Sequence, residues 1–222
     1  MRANFLDALR GMAVIWMIIF HAAYDMKMFN FVDWDFSGGF WYGFPRVIAW
    51  TFLFCVGASL NFTHQNHINW KSLSKRSLKL ALAAGAVSLG TYIVFPSQWV
   101  YFGTLHCILV GSILGALVVN YRPLAWVLLI LILTLQYLLD YDIKWVSSIL
   151  QRPSLDFIPI YPWFWAILMG ILIGPYLSRI TLIKEMKPRK ALNFLGRHSL
   201  KIYLIHQPLI FGCLWIISKF VY

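Results

Sequence analysis

Apolar stretches of roughly 18–20 residues follow one another along this 222-residue chain, separated by shorter polar or charged joints. A helix rising 1.5 Å per residue needs about 20 such residues to cross roughly 30 Å of hydrocarbon. Seven windows fit: about 8–28, 44–62, 78–96, 101–120, 124–139, 161–178 and 198–218, the fifth being short. The pattern predicts an all-α, polytopic transmembrane helix bundle of about seven spans, read as a single domain over residues 1–222. Pro45 suits the first turn of the second segment. The third is rich in small residues suited to close packing, among them Ala83, Ala84, Gly85, Ala86, Ser88 and Gly90. Pro208 removes a backbone donor in the last segment, so a kink is expected near His206. The joints 63–77 and 179–197 read as polar loops, the latter the main basic run.

Composition strengthens the membrane reading. Hydrophobic residues make up 60% of the chain and charged ones 12%, too little polar surface for a soluble protein of this size. The formal charge of +11 invites a nucleic-acid partner, but its distribution argues against one. With the N-terminus cytoplasmic, fourteen of the 19 cations fall on the inner side, with only Asp7 and Glu185 as acids there. The outer side holds Lys27, Arg46, Lys144, Arg152 and Lys219 against six aspartates. That is a positive-inside bias, and it predicts a multi-pass protein of the cell (inner) membrane with its C-terminus outside. The first segment is too long for a cleavable signal peptide and carries Arg10 and His21 within it. Cys55, Cys107 and Cys213 all lie in apolar segments without ligand spacing, so no metal is expected.

Against this background, three ionisable residues of the first segment stand out. Arg10 and His21 are almost three helical turns apart, so they share a face about 16 Å apart along the axis. Asp25 lies one turn beyond His21, within reach of its imidazole. Ionisable groups at bilayer depth are costly and mark functional sites. The chemistry they suit is a general base aligned by a carboxylate, with Arg10 orienting the site or stabilising charge. The alternative is a structural histidine satisfied by a neighbouring helix. His106 and His206 are candidates for lining the same cavity on the substrate side, with packing roles as the alternative. His64 and His67 read as residues of a solvated loop.

Two surface features have double readings. Lys75, Arg76 and Lys79, with Arg197, follow from the positive-inside rule and anionic lipids, or form a landing site for a polyanionic donor such as a coenzyme A thioester. The loop 29–43 is dense in aromatics around Asp33 and Asp35, with Arg46 nearby. It reads as an interfacial belt, or as a surface on which a sugar ring stacks while Asp33 and Arg46 bind its polar groups.

Several stretches together resemble one family: the run from Asp7 through Arg10-Gly11 to Ala13, the Arg10-to-His21 spacing, Phe52 to Ser59 around Gly57, Phe102 to His106, and Leu195-Gly196 through Ser199 and Tyr203 to His206. They resemble the bacterial branch of the heparan-α-glucosaminide N-acetyltransferase catalytic-domain family, within a transmembrane acyltransferase group related to the acyltransferase-3 proteins. The resemblance implies acetyl transfer across the membrane, from cytosolic acetyl-CoA to an amino or hydroxyl group of an extracytoplasmic sugar or glycan. It favours the donor-site reading of Lys75, Arg76 and Lys79, and places His21 where donor and acceptor meet, as base or as transient acetyl carrier. The animal enzymes carry their proposed catalytic histidine in the loop after the first segment. Here that loop has no histidine, which points to the acyltransferase-3 arrangement, and heparan is not carried over as the acceptor. Expected partners are membrane lipids, acetyl-CoA and the glycan, with no nucleic acid; a homo-oligomer is compatible with the chain. The rival from another class is a small proton-coupled transporter or channel using His21, His106 and His206 as relays. A non-catalytic, lipid-binding subunit is a third. Inverted repeats that would favour a transporter are not visible.

Overall fold

The computed structural model describes residues 4–64, 67–138, 153–177 and 190–221. Among them are eight helices and no strand: α1 (Asn4–Met28), α2 (Gly39–Thr63), α3 (Trp70–Val94), α4 (Thr104–Val118), α5 (Arg122–Leu138), α6 (Ile160–Leu177), α7 (Lys190–Arg197) and α8 (Ser199–Val221). Seven coincide with the predicted apolar windows. Five (α1, α2, α3, α6 and α8) are long and apolar enough to cross a membrane, and α4 and α5 are shorter apolar helices. Large apolar side chains stand exposed along them, as at Leu82, Ile93, Val127, Leu209 and Phe220. Unpartnered apolar faces of that extent are what a lipid solvent leaves uncovered.

Helix boundaries differ from the sequence reading in instructive ways. The second helix starts at Gly39, whose φ of +58° turns the chain into it, so Pro45 sits inside the helix and not in its first turn. The third starts at Trp70, capped by the Asn69 side chain accepting from the Ser72 amide at 3.0 Å. Lys71 and Lys75, expected in a polar loop, therefore join Lys79 in an i, i+4, i+8 stripe on α3. The end of the basic run is the short helix α7, with Asn193 and Gly196 buried. Helix α8 runs through Pro208 as one element.

The described residues gather into two compact units, 53–177 and 4–52 with 190–221, and α2 contributes its two halves to different units. In the first, α6 packs on α2 through glycines. A Cβ on Gly57 would lie 2.0 Å from the Ile167 carbonyl oxygen, and one on Gly170 would lie 2.2 Å from that of Phe54. Such backbone approach is the small-residue packing of membrane helices. In the second unit α1 packs against α7 and α8. Gly11 and Gly196 let the backbones touch, since a Cβ on Gly196 would meet the Asp7 carbonyl oxygen at 1.8 Å.

Candidate functional site

Within the second unit, α1 and α8 run in the same direction. His21 meets His206, Asp25 meets Gln207 and Phe29 meets Phe211, so contacts advance together along both helices. His21 lies seven residues before the end of α1, about 10 Å from it. The two imidazole rings stand edge to face, centroids 4.9 Å apart.

Hydrogen bonding fixes their protons. His206 Nδ1 faces the carbonyl oxygens of Tyr203 at 2.8 Å and Ile202 at 3.1 Å, and His21 Nδ1 faces that of Met17 at 2.9 Å. A carbonyl only accepts, so each Nδ1 carries the proton. His206 Nε2 is then an acceptor and takes a share of the His21 Nδ1–H at 3.4 Å. That leaves His21 Nε2 as the basic nitrogen, with no hydrogen-bond partner among the described residues. Chemically the pair is an oriented base, one imidazole holding the tautomer of the other.

The aligning carboxylate expected from sequence has a different partner. Asp25 is 1% exposed and accepts from Gln207 Nε2 at 3.0 and 3.1 Å, one bond to each oxygen. Gln207 Oε1 is buried without a partner among the described residues, an acceptor left over beside the pair. Arg10 donates to Asp7 at 3.0 Å, and Arg197 approaches the same buried carboxylate at 3.5 Å. The node holds α1 to α7.

The match that decides the family covers nearly the whole chain: heparan-alpha-glucosaminide N-acetyltransferase, catalytic, over residues 2–208. The chain belongs to this family. No curated protein and no solved structure matches it. Family and apolar helices together make it a membrane protein of an acetyltransferase family.

The remaining candidates of this family member fall in both units. In the 4–52/190–221 unit, Phe20, Phe36, Trp41 and Phe44 form an aromatic cluster, and Trp34 stacks on Trp41 at 5.3 Å. Asp33 stands exposed 4.0 Å from Lys27, and Arg46 lies over the Tyr42 ring at 3.6 Å while donating to its carbonyl. Hydrogen bonds from the Ser37 hydroxyl and amide hold the Asp35 carboxyl below its ordinary pKa. In the 53–177 unit, Lys75 and Lys79 are exposed and Arg76 reaches Ser59 Oγ at 3.5 Å. His106 accepts from the Gly103 amide through Nδ1 and therefore donates through Nε2 to Ser88, whose hydroxyl donates to the Val100 carbonyl. Proton flow in that chain runs away from the imidazole, the wrong polarity for a serine activated by a base. His64, expected in a solvated loop, is 1% exposed and accepts the Asn69 N–H at 3.0 Å, bracing the start of α3.

Proposed function

We propose that the chain moves an acetyl group from cytosolic acetyl-CoA to an amino or hydroxyl group of an extracytoplasmic sugar, with His21 Nε2 as the general base. The observation that carries this reading is the paired-imidazole geometry, which leaves that one nitrogen basic. As the acceptor attacks the thioester carbonyl, its proton passes to His21 Nε2. The C–S bond then breaks and the proton leaves with the thiol. The imidazolium formed in between keeps its Nδ1–H on the Met17 carbonyl and on His206 Nε2, both of which stabilise the positive ring. Gln207 Oε1 suits a second N–H or O–H of the acceptor. Asp25 acts on the site through Gln207, as a positioning residue.

The donor's phosphates suit the Lys71, Lys75 and Lys79 stripe with Arg76. Like charges one turn apart destabilise a helix unless an anion sits on them. Arg10 and Arg197, both engaged by Asp7, act as structural supports of the α1–α7 crossing. Asp33 and the stacked aromatics suit an acceptor sugar.

Purified protein given radiolabelled acetyl-CoA and a panel of amino sugars and envelope glycans should produce acetylated product. His21→Ala should lower the rate about 100-fold or more, with its elution and unfolding temperature unchanged. Full transfer by a well-folded His21→Ala protein would remove the base from the mechanism.

A further inference from the structure

A cavity of about 440 Å³ lies within the 53–177 unit, where four helices end or begin. Its wall includes Asn61 and His64 from the end of α2, Asn120 past the end of α4, Arg122 and Pro123 at the start of α5, and Pro175 near the end of α6. The size is that of a small-ligand site, which runs from about 300 to 1,000 Å³.

Its electrostatics point to one class of ligand. Arg122 has no ion pair among the described residues. The unit's only acid among them, Asp156, binds Thr104 at the far end of α4, about 22 Å away by helical rise. Arg122 is also the first residue of α5, where the helix dipole already presents positive charge and a cation is unfavourable without a counter-ion. Arg76 of α3 lies near enough for its charge, added to burial, to hold the His64 pKa below its ordinary value. Because His64 Nδ1 accepts from Asn69, its proton sits on Nε2. Asn61 spends its amide protons on the Ile171 and Gly57 carbonyls at 3.0 and 3.5 Å, which leaves Oδ1 to accept from a hydroxyl. The wall therefore offers a guanidinium fork and a hydroxyl acceptor, and no carboxylate among the described residues. That is the complement of a phosphate ester carried on a hydroxylated residue such as ribose or glycerol.

We propose that this cavity is a phosphate-ester binding site, held by the Arg122 guanidinium, for the phosphate of a soluble nucleotide or of a phospholipid headgroup. The assignment does not depend on acetyl transfer, and its test reads binding alone.

The full-length protein would be unfolded thermally with adenosine 3′,5′-bisphosphate in detergent, and in phosphatidylcholine nanodiscs with and without phosphatidic acid. One probe should raise the unfolding temperature of the wild type. A response to the bisphosphate that persists in Lys75→Gln/Lys79→Gln, and so does not come from the donor stripe, identifies a soluble nucleotide, and a response to phosphatidic acid identifies a lipid; either supports the site. Arg122→Gln should weaken apparent affinity for that probe about tenfold or more. Arg122→Lys, which keeps the charge and loses the fork, should fall between, and Lys219→Gln on α8 should match the wild type. No response to either probe overturns the proposal. So does a response that Arg122→Gln leaves intact, since the ligand would then sit elsewhere.

Discussion

Side chains on a helix lean back toward its N-terminus, and that lean decides what His21 touches. Its Nδ1 folds onto the Met17 carbonyl one turn earlier, away from Asp25 one turn later. Spacing alone puts both residues on one stripe, and it cannot tell which neighbour the ring selects. The partner Asp25 does take, Gln207, is 182 residues away in sequence and comes from α8. His64 makes the same point with a testable outcome. Burial and the charges of Arg76 and His67 lower its pKa, and its Nδ1 must stay unprotonated to accept from Asn69. The folded state thus binds this proton less readily than the unfolded chain, whose histidines titrate near about 6.5. The stability His64 contributes is complete above that pH and is lost as pH falls through its lower folded value. We expect the unfolding temperature in detergent to drop between about pH 7 and pH 5, and the drop to shrink in His64→Gln, whose amide oxygen still accepts from Asn69. Equal slopes in the two proteins would remove His64 from the acid sensitivity. Sequence made His21 and His206 legible because an ionisable group in an apolar run is costly wherever it points. It hid His64, since burial at a helix end arises from tertiary packing.

Helices were legible to the extent that apolar periodicity persisted, and misread where charge masked it. Residues 190–197 look like a basic loop, but Leu192, Asn193 and Gly196 present one face to α1, and the backbone contact is made by glycine. The same device joins α2 to α6. Gly57→Ala would place a methyl 2.0 Å from the Ile167 carbonyl oxygen, with backbone on both sides and no flexible side chain to give way. Overpacking of this kind costs about 1–3 kcal/mol, so the variant should unfold several degrees below the wild type in detergent. Gly212→Ala on α8 has nothing within 4 Å and trades a poor helix former for a good one. It should be neutral or stabilising. A Gly57→Ala protein as stable as Gly212→Ala would show that the α2–α6 approach is looser than the backbone distances give. Neither crossing was visible as a contact in the sequence, although the glycines themselves were.

At the scale of the whole chain, the parallel run of α1 and α8 constrains how the helices thread a bilayer. Two neighbours that point the same way need an odd number of crossings between them. Among the described residues five apolar helices intervene, and the condition also holds with three, should α4 and α5 enter and return together without crossing. At 15 and 17 residues those two span about 22 and 25 Å, short of the roughly 30 Å core. Arg122 at their junction settles our expectation. A cation at that turn is favoured on the cytoplasmic side, which the chain reaches there only if both helices cross. In a background without Cys55, Cys107 and Cys213, an impermeant thiol reagent should label Ser37→Cys and Gln98→Cys on intact cells. His67→Cys and Tyr121→Cys should react only after the membrane is opened. Labelling of Tyr121→Cys from outside, with His67→Cys still protected, would reduce the crossings to five and break the cavity apart, since its wall joins His64, three residues before His67, to Arg122, one residue after Tyr121.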